Sequence, residues 1–389
     1  MTAQDEQAPA ERTRPQPAEE GAGGPDGTAP DGADRAAGDW RVFHATGRAP
    51  DVPPGLPEAP PWRRFGGEPA QPAARDDPQA ALRRLGPGEP TPQLGPDEID
   101  TVNAALVLRR PLLITGPPGI GKSTLAYLIA RELGLGRVLE WNIVSRTSLK
   151  DGLYHHDAMG RAQAIAAWQA GLRDAPDPEP AGDPAATEPG EDSNGRQLAP
   201  LLGDFVTLGP LGTALLPYDR PRVLLVDELD KSDIDLPNDL LHVLENGSYD
   251  VPELVRDAAE TARVHTSDPG VRAVVRQGRV ECREFPVVVI TSNGEREFPA
   301  AFRRRCLPLE LRTPTREQLL AMVRRHLGER PAGAEDLVDL FLRRVEAGGT
   351  HSLDQLLNAV QITTTGGFQV DGSGRKLVEM LLRDLAKGR

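Results

Sequence analysis

Hydrophobic residues are patterned in only part of this chain, and the patterned blocks predict the elements of its fold. Asp97 to Leu108 carries Ile99, Val102, Ala105, Leu106 and Leu108 at helical spacing. Leu112 to Thr115 is a short apolar run expected as a buried strand. Ser123 to Leu133 reads as a helix closed by Gly134 and Gly136, and Arg137 to Val144 as a second strand. Residues 145–154 are polar and unpatterned, and a helix is expected from about Arg161 to Leu172. Val223 to Val226 are four consecutive aliphatic residues, the signature of a strand buried on both faces. Ile234 to Glu245 follows as a helix, with Pro237 in its first turn and Gly247 just past its end. Alternating apolar positions within 248–281 predict a hairpin insertion, turning at Asp268-Pro269-Gly270 and Gln277-Gly278. Phe285 to Ile290 and Leu307 to Leu311 give two more strands. Thr315 then caps the first of four helices, at Arg316 to Leu327, Ala334 to Glu346, Ser352 to Ile362 and Arg375 to Lys387. Gly366-Gly367 and Gly372 to Gly374 make a loop between the last two.

Composition changes the picture at the N-terminus and in one internal stretch. Eighteen of the 38 prolines precede residue 100, and residues 1–39 have no aromatic residue, so that segment cannot bury enough apolar surface to order itself. Trp40, Val42, Phe43, Leu56, Trp62 and Phe65 mark 40–65 either as an extended segment that docks its aromatics or as more linker. Residues 66–95 read as linker with a short helical piece around Ala80 to Leu85, and the folded body is expected to begin near Pro96. Residues 1–39 carry a net charge of −6 and residues 174–192 a net of −7. Together they account for the whole formal charge of −13, so the acidity belongs to a tail and a loop insertion at 174–198 and not to a binding face. Cys282 and Cys306 are too few for a disulfide framework. No apolar run approaches a membrane span and the acidic start is unlike a signal peptide, so a cytoplasmic protein is expected. His155 and His156 are adjacent without a third ligand at metal spacing, and are expected to be solvated.

Between the first strand and its helix, Gly116, Pro117, Pro118, Gly119, Ile120, Gly121, Lys122, Ser123 and Thr124 fill the pattern G-x-x-x-x-G-K-[ST]. Such a loop turns its backbone N–H groups onto nucleotide phosphates at a helix N-terminus. Its lysine reaches the terminal phosphates and its hydroxyl holds Mg²⁺. The strand at Val223 to Val226 ends in Asp227 and Glu228, where ligands of open parallel sheets collect. Asp227 is the expected metal-side acid beside Ser123, and Glu228 the general base for a water attacking the γ-phosphate. The strand from Phe285 ends in Thr291-Ser292-Asn293, and the Asn293 amide is placed to orient that water. Arg303-Arg304-Arg305 contains no interleaved aromatic residue that would indicate nucleic acid, and is placed to supply an arginine finger.

In this order, phosphate loop, Asp-Glu strand, Asn-ended strand, arginines and C-terminal helices resemble an AAA+ ATPase over residues 97–389. Glu245 to Leu254 followed by a hairpin, Phe285-Pro286, and Thr291 to Pro299 are similar to the MoxR-like branch, and 40–65 resembles the N-terminal extension of its actinobacterial members. The resemblance implies a P-loop NTPase αβα sandwich with a parallel five-stranded sheet over 96–312, and a small all-helical lid over 313–389. It implies ATP and Mg²⁺ as cofactors, Asn293 as first sensor, and Arg304 or Arg305 as a finger acting on a neighbouring subunit. It also implies a homo-oligomeric ring, commonly a hexamer, that remodels a client, with von Willebrand A domain proteins as a partner class. One departure stands out. Thr350-His351-Ser352-Leu353-Asp354-Gln355 lacks the arginine that many relatives carry at the start of the third lid helix.

These features predict a Mg²⁺-dependent, ring-forming ATPase. The missing lid arginine keeps open a nucleotide-gated switch or scaffold with little hydrolysis. A small-molecule kinase would need a substrate pocket that neither the Asp-Glu pair nor the helical C-terminus suggests.

Overall fold

The computed structural model describes residues 40–72, 75–86, 94–174, 199–257, 259–328, 333–347, 351–364 and 372–382. The tail expected over 1–39, nearly all of the acidic insertion and the Gly366-Gly367 loop lie outside the described residues. In chain order the first elements are helices α1 (Pro78–Leu85) and α2 (Pro96–Leu108), strand β1 (Leu112–Thr115), α3 (Thr124–Glu132) and β2 (Leu139–Asn142). Then come α4 (Leu149–Leu153), β3 (Tyr154–His156), α5 (Ala158–Asp174), β4 (Val206–Leu208), α6 (Pro210–Ala214) and β5 (Val223–Asp227). Next are α7 (Asp235–Asn246), β6 (Ser248–Asp250), α8 (Pro252–Arg256), β7 (Thr261–His265), β8 (Arg272–Arg276) and β9 (Arg279–Glu281). The chain closes with β10 (Val287–Ser292), α9 (Ala300–Arg305), β11 (Leu307–Glu310), and helices α10 (Arg316–Leu327), α11 (Ala334–Glu346), α12 (Leu353–Thr364) and α13 (Gly372–Leu381).

The central sheet is parallel throughout, in the order β11-β1-β10-β5-β2. Its three inner strands, β1, β10 and β5, are apolar on both faces because both faces are covered. Successive residues point to opposite sides. Leu112, Ile114, Val223, Leu225 and Val289 therefore join one core with α2 and α3. Leu113, Leu224, Val226, Val288 and Ile290 join the other with α6 and α7. A polar group at a strand's C-terminal end thus emerges at the edge of two dry layers. Helices α10 to α13 bury a third core around Leu319, Val323, Val338, Phe341, Leu356 and Val360. Thr315 caps α10 as expected, its hydroxyl accepting from the Gln318 amide while the Gln318 side chain accepts from the Thr315 amide.

Three features differ from the sequence reading, the smallest being that Gly372 to Gly374, expected in a loop, open helix α13. The hairpin over 248–281 is part of a six-stranded sheet, β3-β4-β7-β8-β9-β6, whose first two strands come from stretches with no visible alternation. Three-residue strands are too short to display a period of two. The sheet is tied to the base of β5 by Arg222, which is 1% exposed and donates to both Asp268 oxygens at 2.6 and 3.0 Å. Burial works against the Asp268 charge, but hydrogen bonds from Arg222 and Arg137 keep its carboxyl below the usual range.

The packed body also begins at Arg41, well before Pro96. Residues 41–47 lie across α2 and α3, with Phe43 fully buried. The buried Asn103 side chain accepts from the amides of Val42 and Phe43 and donates to the Phe43 carbonyl at 2.7 Å. Glu132 accepts from the amides of His44 and Gly47. Farther on, the Arg63 guanidinium lies 4.9 Å from the centre of the Phe285 ring and donates to the Leu244 carbonyl at the end of α7. The Gln71 side chain pairs with the backbone of Val274 on both its donor and its acceptor, masking part of the β8 edge. Of the two readings left open for 40–65, the docked one holds, through buried Val42 and Phe43 and through polar side chains elsewhere in the chain.

Candidate functional site

The loop from Gly116 to Thr124 joins β1 to α3 and is squeezed from two sides. Gly116 has φ +146°, and a Cβ there would stand 2.6 Å from the Leu311 carbonyl oxygen. Gly119 has φ +74°, and a Cβ there would meet the Cβ of Ser352 at 2.3 Å. Only glycine tolerates both the left-handed backbone and the contact. The amides of Gly119 to Ser123 donate to no acceptor among the described residues, which leaves them available to an anion at the start of α3.

The ends of two strands, β5 and β10, supply the side chains that face this loop. The Lys122 ammonium, 6% exposed, donates to the carbonyls of Gly116 and Pro117 at 2.8 and 2.9 Å and to Asn293 Oδ1 at 2.7 Å. Burial lowers its pKa, and Asp230, Asp227 and Glu228 act against that shift. Asp227 at the end of β5 receives two hydroxyls on one oxygen, Ser123 Oγ and Thr291 Oγ1, each at 2.6 Å. Glu228 follows in the left-handed region at φ 60°, an expensive conformation for a residue with a Cβ, and its amide donates to Thr291 Oγ1 at 2.8 Å. Asn293 Nδ2 donates to Glu228 Oε1 at 3.2 Å. One amide side chain therefore spans the loop lysine and the expected base.

Lys122, Ser123, Asp227, Glu228 and Asn293 thus converge in one place. Arg304 and Arg305 do not join them: Arg305 pairs with Glu245 of α7, and the Arg304 guanidinium contacts the Ala300 carbonyl of its own helix. Both sit at the exposed C-terminal end of α9. No arginine stands at the start of α12. There the Leu353 amide donates to the Gly119 carbonyl at 3.2 Å, so helix and phosphate loop touch directly through backbone. The sequence reading gave no role to Thr291, Asp230 or Lys231, although each stands within four residues of Asp227 or Asn293. Lys231 pairs with Glu228 Oε2 at 2.5 Å, and this contact raises its pKa. A cavity of about 390 Å³ opens between the loop and the C-terminal helices, lined by Pro117, Ile120, Pro314, Phe341 and His351. Ile120 and Pro314 also border a smaller cavity that reaches Leu94, Thr124 and Gln318.

The donor set suits a hard cation such as Mg²⁺, with one carboxylate and one hydroxyl leaving room for phosphate oxygens. No cluster of three His, Cys, Asp or Glu side chains that could hold a metal alone occurs among the described residues. His156 lies 3.8 Å from Glu253, away from the loop. Cys282 and Cys306 are buried, and burial pushes both thiols up to about 12. No described helix is long and apolar enough to cross a membrane.

A family model described as "ATPase family associated with various cellular activities (AAA)" matches residues 112–168, from β1 into α5. No curated protein matches the chain. Similar solved structures include three of RuvB from Thermotoga maritima. One mutant is 15% identical with a TM-score of 0.35, covering 74% of this chain and 68% of that one. A second mutant is 14% identical with a TM-score of 0.33, covering 74% and 67%. A structure titled as the RuvB Holliday junction branch migration motor is 14% identical with a TM-score of 0.32, again covering 74% and 67%.

Proposed function

We propose that the chain binds Mg·ATP on the Gly116–Thr124 loop and hydrolyses it. The observation that carries this reading is the convergence of Lys122, Asp227, Glu228 and Asn293 on one glycine loop that opens helix α3. Lys122 would meet the β- and γ-phosphates, and Ser123 and Asp227 would hold the cation, which supplies charge neutralisation on the phosphoryl oxygens. Glu228 takes the proton of the attacking water, which Asn293 orients. The adenine ring of the nucleotide would rest against Ile120 and Pro314, which border both cavities. Arg304 or Arg305, at an exposed helix end remote from its own loop, would complete the site of an adjacent subunit in a ring. The motif resemblance supports a MoxR-like remodeller of a client protein, with a von Willebrand A domain protein as the partner class it implies.

A second reading has one observation in its favour. Both carboxylate oxygens of Glu228 are engaged, by Asn293 and by Lys231, so the base is restrained without nucleotide. That suits a switch which binds ATP and scarcely turns it over. Turnover measured across protein concentration separates the two. The ring ATPase gives activity per subunit that rises steeply and loses the rise on Arg304→Ala or Arg305→Ala. Flat, near-zero activity with nucleotide still bound selects the switch.

A further inference from the structure

The turn after β10 is folded as a small anion nest, and a carboxylate from the helical turn that follows β5 fills it. Asp230 Oδ2 accepts from the amide of Asn293 at 2.9 Å and from that of Glu295 at 3.0 Å. The amide between them, that of Gly294, turns instead to Ser292 Oγ at 3.0 Å, and Gly294 takes φ +78°. Alternate amides converging on one oxygen are the geometry by which backbone captures an anion. Asp230 is 2% exposed, and its other oxygen, Oδ1, has no hydrogen-bond partner among the described residues. A buried carboxylate with one oxygen lacking a partner costs stability, and such a cost calls for a task that repays it. Asn293, whose amide it holds, is the residue that bridges Lys122 and Glu228.

We infer that Asp230 is a positioning residue of the phosphoryl-transfer site: it clamps the 293–295 turn so that the Asn293 side chain spans the loop lysine and the general base. The inference rests on the hydrolytic reading above. Asp230 acts through the backbone of Asn293 and Glu295, whose amides it holds. Its negative charge also acts on Lys122, ahead of Asp227 and Glu228, against the burial that favours the neutral amine. The spacing Asp227-Glu228-x-Asp230 then has a physical sense. The left-handed turn at Glu228 sends successive carboxylates to different tasks: Asp227 to the hydroxyls, Glu228 to the Asn293 side chain and Asp230 to the Asn293 backbone.

The test uses the full chain with Asp230→Ala, Asp230→Asn, Asn293→Ala and the double variant Asp230→Ala/Asn293→Ala. Three readouts are compared: Mg·ATP turnover, binding of a fluorescent ADP analogue, and amide hydrogen exchange at residues 293–295 without nucleotide. Asp230→Ala is expected to slow turnover by about 10- to 100-fold, as misplacing a catalytic group does, while ADP-analogue affinity moves by less than about threefold. The double variant is expected within about twofold of Asn293→Ala alone, because the two residues act in series. Asp230→Asn keeps an oxygen for both amides and recovers most of the loss. Exchange at Asn293 and Glu295 quickens in Asp230→Ala and stays slow in Asp230→Asn. Losses that multiply in the double variant, an asparagine as damaging as the alanine, or unchanged exchange would each overturn the inference. A wild-type chain that does not hydrolyse ATP defeats the hydrolytic reading instead, and the exchange measurement still decides whether Asp230 sets the turn.

Discussion

The phosphate loop and the N-terminal strap are both irregular backbone held against the same helix, α3, yet they are built in opposite ways. The loop at 116–124 owes its shape to glycines whose φ values and close contacts admit nothing else, so its structure is written in its own residues. The strap at 41–47 owes its shape to Asn103 and Glu132, which lie about 60 and 85 or more residues away and read as ordinary helix positions. Backbone that specifies itself forms a motif; backbone specified by distant side chains does not. The contrast also divides chemistry from stability. The loop leaves amide donors free for a ligand, whereas the strap's amides are consumed by carboxylate and carboxamide oxygens.

Substitutions on the two sides of this comparison should therefore separate cleanly. Lys122→Ala is expected to weaken ATP binding by about 100-fold or more, since truncating one partner of a buried charge-assisted contact costs several kcal/mol. Because burial disfavours the Lys122 charge, the melting temperature should not fall, and a fall comparable to that of a core variant would show that the loop lysine is structural. Phe43→Ala should do the reverse, costing about 3–5 kcal/mol of stability as large-to-small core changes do, with ATP affinity at saturating fold unchanged. Calorimetric melting beside isothermal titration checks both. Asn103→Ala removes three strap contacts at once and should cost about 1–3 kcal/mol, the usual penalty for orphaned buried groups. Faster hydrogen exchange confined to 42–47 would mark its origin in the strap.

The smallest effect is a pH dependence. Protonated Lys122 is the form that attracts phosphate, and burial lowers its pKa, so ADP affinity should decline on the alkaline side before an ordinary lysine titrates. Titrations across alkaline pH with wild type and Lys122→Arg test this. The arginine variant should lack the decline, and an identical decline in both would assign it to another group.

The same division explains how much could be read in advance. The three inner strands β1, β5 and β10 were legible because each carries an unbroken apolar run, and Lys122, Ser123, Asp227, Glu228 and Asn293 because each sits at a fixed offset from a strand end. Thr291 escaped although it binds both Asp227 and the Glu228 amide. A threonine in a strand is ordinary by β-propensity, and only the register of β10 beside β5 turns its hydroxyl inward. Asp230 escaped because its partner is backbone 63 residues later. β3 and β4 escaped through shortness, and the strap was half legible: Val42 and Phe43 stood out as docking residues, but the prolines around them left linker equally open. The direct backbone contact of α12 with Gly119, where an arginine was absent, shows how the C-terminal helices touch the loop without that cation.

The most direct test of the central claim is ATP binding and single-turnover hydrolysis by Glu228→Gln beside the wild-type chain, with Mg²⁺ present. Tight binding retained with hydrolysis slowed by about 10²- to 10⁴-fold, the contribution usual for a general base, is the result this account predicts. Equal loss of binding and hydrolysis, or hydrolysis undiminished, would contradict it.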